Sequence, residues 1–266
     1  MDASNHSGAQ PNKPAVRVEP IDNAEDFARF FDITALAFGQ QLSDGIWIAL
    51  NPGWDTSEGR NGGISRLIER YSSTATDRNG DPNTIFLKAT VPRPSDDTNN
   101  SGATEEDIAG VAFWVQASMV DGYGDKPVTD LCEAMDLEAL YPGNPAEQKY
   151  ARQLDQSLHK RRIEVVNEIA STSSPAVMVL DLCVVDPAFQ RQGIATKLVQ
   201  WGLGEAKRRG GLEAILEASS MGRHVYRQLG FWQDGDEFEY HVDEEFRDRN
   251  RPSNVFMRTG RPAPAS

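Results

Sequence analysis

Cysteine is scarce in this chain, whose 266 residues include only Cys132 and Cys183. Two cysteines in a chain of this length argue against a disulfide scaffold and against a cysteine-based zinc site. Cys183 lies inside an apolar strand pattern, where a packed, reduced thiol is expected. These features predict a soluble protein in the reducing environment of the cytoplasm.

Long apolar runs are also missing. No run approaches the roughly 18 residues that a membrane-spanning helix needs. The first residues, MDASNHSGAQPNKP, have no basic start followed by an apolar stretch, which is the pattern of a secretory signal. We therefore expect neither a membrane partner nor a cleaved leader.

Basic residues are fewer than acidic ones, which gives a formal net charge of −13 and an isoelectric point near 4.8. Binding to nucleic acid needs a basic surface that neutralises phosphates, so a general affinity for DNA or RNA is not expected. A polybasic membrane patch is equally disfavoured. An acidic surface is compatible with cationic small molecules, although many soluble proteins are acidic for solubility alone.

Strand and helix patterns alternate along one domain, predicted over residues 16–260 between a disordered lead (1–15) and a short tail (261–266). Strand patterns fall at 15–21, 83–91, 108–118, 176–185, 212–219, 237–242 and 254–260. Helical patterns fall at 23–38, 63–73, 130–141, 145–170, 195–211 and 222–229. The strand–helix–strand unit after residue 176 favours one parallel pair, and the other strands read as antiparallel. We therefore predict an α/β fold with a central mixed sheet flanked by helices.

Residues 119–175 differ from the rest, since they are helical and strongly charged. We interpret them as an insertion before the fourth strand that lies over the domain. The long helix at 145–170 has two readings, a solvated face with i,i+4 charge pairs or a surface for a protein partner.

The most informative stretch is VVDPAFQRQGIATKL, from Val184 to Leu198, where a buried strand passes into a helix. The N-terminus of a helix exposes unpaired amides with partial positive charge. Gly193 lets the backbone approach a ligand, and Gln190 and Arg191 supply polar groups at the side. A diphosphate fits this turn better than a metal, because no histidine or carboxylate cluster lies nearby.

Two other phosphate-binding motifs do not apply to this turn. It lacks the Gly-Lys-Ser/Thr ending of a P-loop and the Gly-x-Gly-x-x-Gly spacing of dinucleotide-binding turns. On these residues alone, an ordinary strand-to-helix turn with solvated side chains stays open.

The same stretch resembles GCN5-related N-acetyltransferases, the GNAT superfamily. Gln190-x-x-Gly193-x-Ala195 matches its Gln/Arg-x-x-Gly-x-Gly/Ala signature, and SSMGRHVYRQLGF resembles its Asn-x-x-Ala-x-x-x-Tyr-x-x-x-Gly-Phe element. The core of the resemblance spans 176–231 and implies the GNAT fold. Two positions depart from it, because Ser219 stands where many relatives carry Asn and Gly222 stands where they carry Ala.

The resemblance implies acetyl-CoA as co-substrate, with no metal. Its diphosphate is expected on the turn, at Gln190, Arg191, Gln192, Gly193, Ile194, Ala195 and Thr196. Its pantetheine arm is expected in a gap beside the fourth strand, at Leu182, Cys183, Val184 and Val185, with Ser219, Gly222 and Tyr226 across from it.

The resemblance also implies catalytic roles. Tyr226 is the expected general acid, because a phenol keeps its proton at neutral pH. An amide near Cys183 is expected to stabilise the oxyanion, whereas the thiol itself is expected to be packed. From its place in an apolar strand, Asp181 is the candidate general base with a pKa raised by burial, or else a structural carboxylate bonded to a neighbouring strand or loop, and Glu217 is a weaker second base. We expect His224 to be exposed on the surface.

Together these features predict an N-acetyltransferase that moves the acetyl group of acetyl-CoA to a primary amine by direct attack in a ternary complex. The alternatives are an acetyl-CoA-binding module without turnover, an interaction domain that uses residues 119–175, and an enzyme for a larger acyl donor. The acceptor stays open between protein lysine, a small amine, an amino acid and an antibiotic, as does the oligomeric state.

Overall fold

A computed structural model describes residues 15–93 and 106–260 of the chain. The predicted N-terminal lead up to residue 14, most of the polar loop at 92–107 and the tail at 261–266 lie outside the described residues. Within the described ranges no helix is both long and apolar enough to cross a membrane.

The centre of the fold is a seven-stranded sheet in the order β1-β2-β3-β4-β5-β7-β6. Its strands are β1 (Arg17–Pro20), β2 (Thr84–Pro92), β3 (Glu106–Ala117), β4 (Val177–Val185), β5 (Glu213–Ser219), β6 (Trp232–Glu237) and β7 (Asn254–Arg258). The β4–β5 pair is parallel and the other neighbouring pairs are antiparallel. The predicted mixed sheet with one parallel pair is therefore confirmed.

The strand predicted at 237–242 is wrong in position, since β6 ends at Glu237. Phe238 donates one more backbone hydrogen bond to Asn254 and then leaves the sheet. Phe238 and Tyr240 instead pack their rings into apolar clusters with residues of the long helix at 145–169. The alternating apolar pattern reflects burial under that helix rather than pairing in the sheet.

Helices cover both faces of the sheet. They are α1 (Asp26–Thr34), α2 (Gly45–Leu50), α3 (Ser57–Ser72), α4 (Leu137–Leu140), α5 (Pro145–Ile169), α6 (Ile194–Arg208) and α7 (Arg223–Gln228). A π-helical segment, Ala35–Gln41, continues α1. Helices α1, α3 and α5 lie on one face, and α6 and α7 on the other.

Helix α5 is part of the main layer structure and not an outer addition. Asn144 caps its start, and Pro145 occupies the first turn, where a missing N–H costs nothing. Near its other end Val165 and Val166 are fully buried against β4, β5 and β7. The strongly charged helix α5 therefore also carries a short apolar stripe that packs on the sheet. This packing places the polar residues of α5 over the centre of the sheet.

Candidate active site

β4 and β5 lie side by side for only part of their length. They pair over Val177–Leu180 and Glu213–Leu216. Beyond these residues β4 continues to Val185 and β5 to Ser219 without pairing to each other. A gap between two strands of one sheet is thus open at the carboxyl ends of the parallel pair.

A β-bulge at Asp181 marks the point where the strands part. On β3, Trp114 lies opposite Leu180 and Phe113 lies opposite Leu182, so Asp181 is the extra residue of β4. A bulge bends its strand and increases the local twist. The second half of β4 therefore stays on β3 and turns away from β5.

Backbone groups of β4 line this gap in alternation. Asp186 N–H donates to a β3 carbonyl at 2.9 Å. The N–H and C=O groups of successive strand residues point to opposite sides of the strand. Like Asp186, Val184 and Leu182 therefore direct their N–H and C=O groups toward β3. Of the four strand residues predicted to contact the co-substrate, only Cys183 and Val185 thus present backbone groups to the gap, and Leu182 and Val184 contribute side chains.

The turn after β4 has the shape of an anion cradle. Arg191 and Gly193 both have a positive φ, 62° and 86°, and helix α6 starts directly after Gly193 with no side-chain cap on its first amides. Successive amides in such a conformation form a concave site for anions. No atom lies within 4 Å of the place where a Cβ of Gly193 would stand. The residues present therefore fit a diphosphate.

The turn is held in place from outside. Asp186 accepts a hydrogen bond from Ala188 N–H at 2.8 Å and forms an ion pair with Arg29 of α1. Gln190 exchanges two hydrogen bonds with Gln41, at 2.9 and 3.1 Å. Both Gln190 and Asp186 thus anchor the turn to the α1 side, and the Gln190 amide also donates to the Val185 carbonyl at 3.3 Å.

Tyr226 lies across the gap from the second half of β4. Burial raises its pKa well above the usual phenol value, and the nearby Cys183 thiol adds to the shift. Within the described residues its hydroxyl has no hydrogen-bond partner. A Cβ on Gly222 would lie 2.5 Å from the Tyr226 ring, so glycine at this position makes room for that ring. Gly222 and Ser219 both line the same cavity.

Cys183 behaves as a packed thiol. Burial raises its pKa to about 12, so the thiolate that a nucleophile requires is not formed at neutral pH. Cys183 also packs against the apolar cluster under α6. Its contribution to the gap is its backbone.

The expectation that Asp181 has a raised pKa is wrong. Arg162 of α5 contacts its carboxylate at 2.5 Å, and Arg70 of α3 contacts it at 3.1 Å. The two guanidinium groups outweigh burial and hold the pKa of Asp181 well below its usual range. The same Arg162 forms a bidentate pair with Glu217, so one guanidinium holds both carboxylates that were predicted as bases.

His159 is a functional candidate that sequence reasoning missed. It lies on α5 one turn before Arg162 and lines the cavity. Its Nδ1 is 3.0 Å from Asp155, a buried carboxylate four residues earlier. A proton on Nδ1 leaves Nε2 as an acceptor. The signal was the Asp155–His159 spacing, which we interpreted as part of a solvated helix face; His224, in contrast, is exposed as predicted.

One cavity of about 1610 Å³ connects these parts. It runs from the turn at Gly193 through the gap at Cys183 to a chamber between α2, α3 and α5. Phe38, Trp47 and Phe113 give this chamber an aromatic lining. Among residues 15–93 and 106–260 no three histidine, cysteine or acidic side chains cluster as metal ligands do.

Comparison with known proteins agrees with this geometry. A family model described as an acetyltransferase (GNAT) domain matches residues 147–242. No curated protein matches the chain.

Solved structures share the fold at low sequence identity. Drosophila melanogaster polyamine N-acetyltransferase matches with a TM-score of 0.55 at 10% identity, covering 92% of this chain and 98% of the other. Arylalkylamine N-acetyltransferase 2 from Aedes aegypti matches with a TM-score of 0.54 at 18% sequence identity, and the match covers 91% of this chain and 97% of the other. A mosquito arylalkylamine N-acetyltransferase-like protein, 5b, matches with a TM-score of 0.53 at 13% sequence identity, and the match covers 92% of this chain and 99% of the other.

The signature turn, the family model and the fold agree with one another. Residues 147–242 of the chain are similar to the acetyltransferase (GNAT) domain, and the chain shares its fold with solved N-acetyltransferases.

Proposed function

We propose that this protein transfers the acetyl group of acetyl-CoA to the primary amine of a small molecule by direct attack in a ternary complex. The observation that supports it is the gap between β4 and β5, which joins the amide cradle at Gly193 to the aromatic chamber. The diphosphate binds at the cradle, and the acetyl thioester lies in the gap beside the Cys183 amide. The amine enters from the chamber.

His159 takes the proton from the acceptor ammonium through Nε2, while Asp155 holds the imidazole by Nδ1. The neutral nitrogen then forms the N–C bond with the thioester carbon, and the C–S bond breaks. A backbone amide at Cys183 stabilises the carbonyl oxygen. Tyr226, which burial keeps protonated, gives its proton to the departing thiolate, and the proton that the new amide nitrogen loses returns the phenolate to a phenol.

A small amine suits the chamber because α2, α3 and α5 enclose it. The structures with the same fold include enzymes named for polyamines and arylalkylamines, which are small amines of both aliphatic and aromatic kinds. Acetyl-CoA is the donor that we propose, and the packed side chains of Cys183 and Val185 beside the gap favour a short acyl group.

The test is a pair of measurements, affinity for acetyl-CoA and the rate of amine acetylation. In Tyr226→Phe we expect kcat to fall by about 100-fold, the scale of a general acid, with the Kd for acetyl-CoA within about threefold of wild type. His159→Gln should show the same split. Tyr71→Phe is the matched control, because Tyr71 lies outside the cavity and its hydroxyl has no partner in the described ranges.

A catalytically silent acetyl-CoA-binding module is a second candidate. It is favoured by one observation, that both carboxylates facing the gap are held by Arg162. Such a module would bind acetyl-CoA and lose that binding in Gly193→Glu, yet acetylate no amine in a broad panel. Turnover that depends on His159 and Tyr226 excludes it.

A further inference from the structure

Arg66 is the arginine of the chamber wall without an acidic partner. It lies on α3, and its Nη2 donates to the Leu50 carbonyl at 3.3 Å and to Asn51 Oδ1 at 2.9 Å. Both acceptors are neutral. Within the described residues no carboxylate lies within salt-bridge distance of Arg66, and its Nε and Nη1 have no hydrogen-bond partner.

The other two arginines of this wall are neutralised. Arg70 pairs with Asp181, and Arg162 pairs with Asp181 and Glu217. Glu69, which also lines the chamber, forms no ion pair with Arg66 in the described part of the chain. Arg66 is therefore an arginine of this wall that no carboxylate of the described residues contacts.

Burial makes this charge costly. Desolvation lowers the pKa of Arg66, with no carboxylate to offset it. A half-buried guanidinium is more stable when an anion replaces its lost water. The planar guanidinium presents its remaining donors in a fork that matches a carboxylate.

The position of Arg66 relates it to the reacting amine. Arg70, four residues later on the same helix, touches Asp181 at the bulge where the gap opens. Side chains four apart on a helix lie about 6 Å apart, so Arg66 faces a point one helical turn away from the gap. Trp47 lines the chamber beside it and accepts a hydrogen bond from Asn51 through its carbonyl.

We propose that Arg66 binds a carboxylate of the acceptor, so that the substrate is a primary amine carrying an acid group, such as an aromatic amino acid. The carboxylate pairs with Nε and Nη1, the side chain lies on Phe38 and Trp47, and the amine points to the gap. This inference rests on the proposed function, because it identifies the acceptor of the same reaction.

Three matched probes test it, namely phenylalanine, phenylalaninamide and phenethylamine, which share a ring and an amine but differ in the acid group. The preference is kcat/KM for phenylalanine divided by that for phenylalaninamide. We expect this ratio to fall at least fivefold in Arg66→Gln, while kcat/KM for phenethylamine stays within threefold. Because the ratio is compared between variants, the different basicity of the amines cancels.

A second variant leaves the arginine in place. Asn51→Asp puts a carboxylate on Arg66 at the position of Oδ1 and should abolish the preference in the same way. Arg60→Gln is the control, because Arg60 lies on the same helix but pairs with Asp32 and does not line the cavity. It should keep the wild-type ratio.

Thermal unfolding checks that each variant folds. If Arg66→Gln does not fold, the ratio measured in Asn51→Asp decides the test. A ratio that changes less than fivefold in the folded variants, or an equal loss for all three amines, overturns the inference. If wild type acetylates no amine, the proposed function fails first. Calorimetry with CoA present then decides separately: phenylalanine must bind wild type at least fivefold more tightly than phenethylamine, and a smaller difference overturns the inference.

Discussion

The donor side of the cavity is built mainly from one continuous stretch of chain, with Tyr226 across the gap, whereas the acceptor side is assembled from distant segments. The turn at Gly193 and the second half of β4, from Leu182, lie within a dozen residues. The acceptor chamber joins residues of α2, α3, α5 and β5. The donor side works through backbone amides and the acceptor side through charged side chains.

This difference determines how each side responds to change. A backbone cradle tolerates most side-chain substitutions and fails when the backbone conformation or the local charge changes. A side-chain network fails when one partner is removed, because the remaining charges stay buried. Each of the following variants tests one side against the other.

The largest expected effect is on the acceptor side, in Arg162→Leu. This change leaves Glu217 buried without its ion pair and leaves Asp181 with Arg70 alone. Breaking a buried pair from one side costs about 3–5 kcal/mol, so we expect about 4 kcal/mol less free energy of unfolding by urea titration. Lys160→Leu, at an exposed position of the same helix, should stay within about 0.5 kcal/mol of wild type.

Gly193→Glu breaks the donor side. The new side chain must adopt a φ of 86° and places a carboxylate where the diphosphate binds. A like charge at close range costs several kcal/mol, so we expect the Kd for CoA to rise on the order of 100-fold. Gly204→Glu adds the same charge to an exposed, open position of α6, and equal losses in the two variants would contradict the assignment.

Asp181→Asn separates a structural role from a catalytic one. A general base contributes about 10²- to 10⁴-fold to the rate. Because Asp181 is held in ion pairs, we expect kcat of Asp181→Asn at neutral pH to fall less than tenfold. A loss of 100-fold would restore Asp181 as the base.

The stability difference between wild type and Asp181→Asn depends on pH because the pKa of Asp181 is lowered in the folded protein. An acid group with a depressed folded pKa stabilises the fold above its unfolded pKa, about 3.9, and loses that contribution as pH falls through the folded value. The stability gap between wild type and Asp181→Asn should thus be constant from pH 7 to pH 5 and narrow in stronger acid. Urea titrations at several pH values measure it.

The smallest expected effect comes from the anchor of the turn. Gln190→Ala and Gln41→Ala each remove the same pair of side-chain hydrogen bonds, worth about 1 kcal/mol net. We expect each to weaken CoA binding by about threefold to fivefold, with a slightly larger effect in Gln190→Ala, which also removes the hydrogen bond from Gln190 to the Val185 carbonyl. A much larger effect of Gln190→Ala would indicate that Gln190 contacts the diphosphate itself.

Much of the donor side was predictable because its signals are local. The glycine at 193, the polar residues before it and the helix after it define one turn, and the apolar run of β4 defines one strand. The position of Tyr226 followed from the resemblance to a known family. The bulge at Asp181 left no mark on that apolar run, so the direction of the β4 amides was not predictable.

The acceptor side was predicted poorly for a physical reason. A single strand shows that Asp181 is buried but not which charges face it. Arg70 is 111 residues away in the sequence and Arg162 is 19, and their guanidinium groups reverse the expected pKa shift. His159 and Arg66 look like solvated helix residues until the helices are packed on the sheet.

By itself the sequence determined the local parts: most of the order of strands and helices, the one parallel pair, and the turn at Gly193, whereas it missed α2 and misplaced β6. These depend on apolar periodicity and on backbone preferences that act over a few residues. Only the tertiary structure decided which charges meet in the chamber, that Asp181 is held in an ion pair, and that Arg66 is left without one. Electrostatic free energies depend on distance and burial in space, and sequence separation carries no information about either.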